Sequence, residues 1–155
     1  MRSIHLYAGL VLASFLAMGC DNSGSNNEIL NAPEPRTVAD TSYTLTESGL
    51  KYFDFSIGDT TRVRADSGDL VVVHYHGWLE NGRLFDSSIL VNSPIQFILG
   101  IGTVIPGWDE GLNGMYLGGE RQLVIPPELG YGNQDRGVIP ANSTLIFEVV
   151  LLGTE

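Results

Sequence analysis

The side chains able to do chemistry fall into a few groups. His74 and His76 lie two apart on a β-prone run and so share one strand face, an arrangement open to a metal. No acidic or cysteine ligand stands beside them at the spacing a site needs, so both read as surface strand residues, and neither a metal nor another cofactor is expected. Ser87 and Ser88 follow Asp86, but no serine sits in a Gly-x-Ser-x-Gly elbow. Gly100-Ile101-Gly102 lacks the later glycine and long helix of a dinucleotide site, and Gly118-Gly119 has no P-loop lysine. What remains is aromatic: Tyr75, Phe85, Phe97, Trp108, Tyr131 and Phe147. Two readings are open for these, hydrophobic core or the wall of a pocket, and core is the rule for any one of them alone.

Bringing such residues together takes a sheet. Leu50 to Phe55 opens a series of short β-like runs, and Leu70 to Trp78 is the most β-prone. Alternation puts Val71, Val73 and Tyr75 on one face and Val72, His74 and His76 on the other. Asn81-Gly82 supplies the positive φ angles of a tight hairpin, and Leu84 to Ser87 returns antiparallel. Further strands are expected at 95–99, 121–125 and 144–152. One segment reads as helix: Pro106 suits a first helical turn, Asp109 and Glu110 suit its positive end, and Gly111 and Gly114 keep it short. Many strands and one short helix indicate an α+β domain, a single antiparallel β-sheet wrapped around one short α-helix that carries Trp108.

The 155 residues leave room for one domain and an extension. A net charge of -10 and a pI near 4.5 argue against a nucleic-acid partner. The single cysteine, Cys20, rules out an intramolecular disulfide. Arg2 followed by the apolar run to Met18 has the charged start and short hydrophobic stretch of an export signal, and Ala17-Met18-Gly19-Cys20 resembles the lipobox of bacterial lipoproteins. That resemblance implies a signal peptide at 1–19, a lipidated Cys20, and a place in the bacterial cell envelope, anchored to a membrane by lipid and facing the periplasm or outer surface. Asp21 resembles an inner-membrane retention signal of enteric bacteria; inner or outer membrane is left open. Residues 20–42 then read as a flexible tether spanning roughly 25 Å, with the folded domain at 43–155.

Within that domain the motifs Val73-His74-Tyr75-His76-Gly77-Trp78-Leu79-Glu80-Asn81-Gly82, Phe85-Asp86-Ser87-Ser88, Val104-Ile105-Pro106-Gly107-Trp108, Val124 to Gly132 and Val138 to Phe147 stand in order. Together they resemble the FKBP-type peptidyl-prolyl cis-trans isomerases across residues 45–154. The resemblance implies catalysis of rotation about Xaa-Pro bonds without a covalent step. It assigns Tyr75, Asp86 and Tyr131 to catalysis, and Phe85, Phe97, Val104, Ile105, Trp108, Ile139 and Phe147 to a proline pocket with the Trp108 indole as floor. The implied partners are proline-containing unfolded or extended polypeptides and the family's macrolide inhibitors, with the protein acting as a monomer. Three departures stand out: Val91 replaces an arginine that pairs with the aspartate in many members, Ile95 replaces a phenylalanine, and the loop 133–137 is short. The rival reading is a tethered peptide-binding module or holdase chaperone with little isomerase activity.

Overall fold

The computed structural model describes residues 33–155; the signal segment, Cys20 and the first part of the expected tether lie outside the described residues. Among the described residues seven strands form one antiparallel sheet: β1 (Thr44–Leu45), β2 (Lys51–Ser56), β3 (Leu70–Leu79), β4 (Leu84–Ser87), β5 (Ile95–Ile98), β6 (Glu120–Ile125) and β7 (Leu145–Thr154). Their order is β1-β2-β6-β7-β3-β4, and β5 also pairs with β3. The long strand β3 serves both partners because its first half pairs with β5 (Leu70↔Ile98 to Val73↔Ile95) and its second half with β4 (His76↔Ser87 to Trp78↔Leu84).

Period-two alternation decides which face is buried. Val71, Val73 and Tyr75 of β3 point to the core with Leu145, Phe147, Val149 and Leu151 of β7 and Leu123 and Ile125 of β6. The one α-helix among the described residues, α1 (Pro106–Leu112), lies on this face. Pro106 opens it, as expected from a residue that needs no backbone donor in a first turn. Two helical glycines set the helix-to-sheet distance. A Cβ on Gly107 would come within 2.6 Å of the Ile125 side chain, and one on Gly111 within 2.6 Å of the Leu123 side chain. The C-terminal end is held by Arg121, whose Nη1 donates to Gly111 O at 2.8 Å while the same guanidinium pairs with Asp54 at 2.6 and 2.9 Å. A cation beside the last carbonyls also suits the helix dipole.

The outer face differs from the sequence expectation of a free tether up to residue 42. From Pro33 the chain lies across the sheet as a strap. Pro33 O accepts from Trp78 Nε1 at 2.6 Å, and Arg36 binds Glu148 through its backbone N and Nε and Glu120 through Nη1. The Arg36 guanidinium also sits 3.5 Å from the centroid of the Phe55 ring. Gln122, 1% exposed, donates to Arg36 O and Glu148 Oε1 and accepts from the Tyr43 hydroxyl. The physical reason is that β3 and β6 place a large indole and a carboxamide on the outer face, and both need cover and partners. The segment from Pro33 to Ser42 therefore packs with the folded unit.

His76 lies under the same cover, its Nδ1 2.8 Å from Ser87 Oγ and its ring centroid 5.4 Å from Trp78. Burial lowers its pKa; the Glu148 carboxylate opposes this and His74 reinforces it. The unfolded chain therefore takes up a proton that the folded one resists, and the stability due to a neutral His76 is complete above its unfolded pKa of about 6.5. Folding stability should fall as pH drops below that value and on through the lower folded pKa. Denaturant midpoints measured between pH 7.5 and 5.5 test this, with a shallower decline expected for His76→Asn; equal slopes would refute the assignment.

Candidate functional site

Where β3, β4 and β7 cross the N-terminal end of α1, a cleft of about 440 Å³ opens. Trp108, 4% exposed, lies at its base. The Tyr75 and Phe147 rings stand edge-on to the indole, at centroid distances of 5.0 Å and 82° and of 5.1 Å and 85°. Phe85 meets Phe147 at 5.6 Å and 88°. These are the T-shaped contacts that ring quadrupoles favour, so the walls are set by aromatic packing as well as by the strands. No described group partners Trp108 Nε1.

Each wall comes from a different element. Tyr75 stands on β3, Phe85 and Asp86 on β4, Ile95 on β5, Phe147 on β7, while Thr103, Val104 and Ile105 come from the segment entering α1. That segment is fixed by Asp109 in the first turn of the helix, whose Oδ1 accepts from Gly100 N at 2.8 Å and Oδ2 from Gly102 N at 2.9 Å. Gly100 and Gly102 both have φ near +77°, which glycine adopts without strain. Tyr131 arrives from the loop after the short turn Pro127–Leu129.

Of the residues expected at the pocket, the cleft is lined by Tyr75, Phe85, Asp86, Val104, Ile105, Trp108, Tyr131 and Phe147. Phe97 and Ile139 stand outside that lining. Phe97 lies against the indole at a centroid distance of 5.8 Å, and Ile139 is 6% exposed within the core. Sequence reasoning singled out the loop 133–137 but did not place its Gln134 and Arg136 at the cleft, nor Gly77 beneath it. Gln134 and Arg136 line the cleft, and a Cβ on Gly77 would lie 2.7 Å from Phe147 Cε1 and 2.9 Å from Phe85 Cζ. A glycine within the most β-prone run was itself the signal for close approach. A second groove, about 640 Å³, runs along the other end of β3 beside Arg62, Val72 and Leu152 and contains none of the expected site residues.

Asp86 is the polar centre of the cleft. Its Oδ2 accepts from the Tyr75 hydroxyl at 2.5 Å and its Oδ1 from Ser87 N at 2.8 Å. Burial, and then the Asp86 carboxylate, push the Tyr75 phenol well above its ordinary pKa. Tyr75 therefore remains a donor through neutral and alkaline pH.

Among the described residues the cleft is walled by aromatic side chains and lined by one carboxylate, Asp86. Residues 61–152 fit the family described as FKBP-type peptidyl-prolyl cis-trans isomerase. The chain belongs to this family. It is 56% identical over 89 residues to an FK506-binding protein of Neisseria meningitidis serogroup A, an alignment covering 57% of this chain and 82% of that protein. It is 55% identical over 93 residues to FK506-binding protein 2 of Yarrowia lipolytica, covering 59% of this chain and 65% of that one. The crystal structure of FkpA from Escherichia coli superposes with a TM-score of 0.68 at 41% identity, over 75% of this chain and 53% of FkpA. The crystal structure of AtFKBP13 gives 0.67 at 38% identity, over 73% and 98% of the two chains. This FKBP domain keeps the single sheet and helix of its structural neighbours.

In this FKBP domain Val91 is 71% exposed and does not line the cleft, so the Asp86 partner is Tyr75 and not a side chain at position 91. Asp86→Asn should weaken a charge-assisted bond to a neutral one, a difference of about 1 kcal/mol, and lower kcat/KM roughly fivefold. A prolyl-peptide exchange assay checks this, and activity equal to that of the unaltered protein would remove Asp86 from the site.

Proposed function

We propose that this protein accelerates cis/trans rotation of Xaa-Pro bonds in exported polypeptides by holding the proline ring on the Trp108 indole. The observation that carries the reading is the Trp108 floor enclosed edge-on by Tyr75 and Phe147, with Asp86 fixed at the same cleft. The barrier to rotation, about 18–20 kcal/mol, comes from amide resonance. In the transition state that conjugation is lost and the amide is less polar, so a dry apolar cleft favours it over the planar ground state. No covalent step is required. Tyr131 supplies a hydroxyl to a substrate carbonyl, and the main-chain groups of residues 103–105 bind the extended peptide. The same apolar cleft accepts the macrolide FK506 named in the relatives, with Ile95 giving a less aromatic wall.

The protein acts from the cell envelope as a lipid-anchored monomer. The charged and apolar start of the chain and Cys20 after Gly19 support that placement. A lipidated cysteine carries more than one acyl chain, as stable anchoring requires. Among the described residues no helix is long and apolar enough to cross a membrane. Mass spectrometry of the N-terminus in membrane fractions tests the anchor, since an unmodified Cys20 would refute it. NMR exchange spectroscopy on a proline-containing peptide tests the activity: line broadening of the cis and trans signals is expected on adding the protein, and unchanged exchange would refute it.

A further inference from the structure

Arg136 gives the cleft a feature that the aromatic cage leaves unused. Its loop is tied down by backbone bonds: Arg136 N donates to Ile139 O at 2.9 Å and Gly137 N donates to Asp135 Oδ1 at 2.7 Å. Because Ile139 is buried, the first of these anchors the Arg136 backbone to the core. The side chain turns back over Tyr131, with the guanidinium carbon 5.1 Å from the ring centroid, and Nη2 donates to Gln134 Oε1 at 2.9 Å. Stacking on an aromatic face favours this placement of the cation at the rim over extension into water.

The charges at the cleft are unevenly satisfied. Among the described residues its lining carries two ionised side chains, Asp86 and Arg136. Asp86 already accepts from Tyr75 and Ser87 N. The ion pairs among the described residues engage Arg36, Lys51, Arg62 and Arg121 but not Arg136. A guanidinium has five N–H donors in a fork that fits a carboxylate. With net charge -10, the chain as a whole repels acidic peptides, and Arg136 offsets this locally at the mouth of the cleft.

We infer that Arg136 is a specificity-determining residue that selects prolyl peptides carrying an acidic side chain next to the proline. The inference rests on the isomerase reading above. The test uses the whole protein and peptide pairs that differ only as Glu or Gln, placed either before or after the proline, so that shape is held constant and charge varies. The unaltered protein should show a Glu/Gln ratio of kcat/KM of about twofold to fivefold at one of the two positions, the scale of an exposed ion pair. Added salt should shrink it. In Arg136→Gln the ratio should fall to one or below, because Asp86 is then the remaining charge at the cleft. In Arg136→Glu a Lys-containing peptide should overtake its Glu counterpart. A ratio of one in the unaltered protein, or a ratio unchanged by Arg136→Gln, would overturn the inference while leaving the isomerase reading intact. No acceleration of the Gln peptides would overturn both.

Discussion

Trp108→Ala should lower folding stability by about 3–5 kcal/mol, and Trp108→Leu, which keeps more of the volume, should reduce kcat/KM roughly tenfold or more. The indole is 4% exposed and is touched by Tyr75, Phe97 and Phe147, so truncation leaves a cavity between α1 and the sheet that the two tight glycine contacts prevent from closing. Since Nε1 bonds no described group, the cost arises from packing alone and no hydrogen bond is lost. Domains of this size are stable by only about 5–15 kcal/mol, so the alanine variant sits near the limit of folding and the leucine variant is the better test of turnover. Activity falls because a proline ring seated on the floor loses the apolar surface on which differential binding depends. Denaturant melts and exchange spectroscopy measure the two effects separately. A leucine variant with full turnover would show that Trp108 belongs to the core and not to the site.

Trp108 also shows why much of the fold was legible. Pro106 marks the helix start by its own covalent geometry, and Val71, Val73 and Tyr75 mark the buried face by strand alternation, so local rules sufficed for both. The expected strands at 70–78 and 95–99 correspond to β3 and β5 within a residue. What stayed illegible depends on long-range pairing. The strap 33–43 is polar and lacks any period; it is ordered because Trp78, Gln122 and Glu148 bond Pro33, Arg36 and Tyr43 across as many as 112 residues of chain. The loop 133–137 was legible as short, but the place of Arg136 at the cleft was not, since it comes from the anchoring of that loop on Ile139. Phe97 and Ile139 come to the pocket only through the family resemblance, and their packing, Phe97 against the indole and Ile139 in the core, depends on side chains brought together over long range.

Gly77→Ala should destabilise the protein by about 1–3 kcal/mol and reduce kcat/KM roughly tenfold or more, although the backbone there places no special demand for glycine. Gly77 lies within β3, next to a register shift in the pairing with β4, and is absent from the positive-φ positions, so an added methyl is opposed by space and not by backbone conformation. In an extended strand free of such opposition, alanine would be stabilising by several tenths of a kcal/mol through lower entropy of the unfolded chain. Here the methyl would sit 2.7 Å from Phe147 Cε1 and 2.9 Å from Phe85 Cζ, distances at which one or both rings must move. Both rings wall the cleft, and the loss of activity follows from their displacement, since errors approaching 1 Å in a positioned group can cost up to about 100-fold. Phe85 is half-buried on a four-residue edge strand, whereas Phe147 is 3% exposed on a strand paired on both sides, so Phe85 should be the ring that yields. Gly77→Ala combined with Phe85→Leu should therefore be more stable than the sum of the single changes predicts, by about 1 kcal/mol. Additive stabilities in that cycle would mean that the two rings do not depend on the missing side chain, and the steric account of the cleft wall would fail.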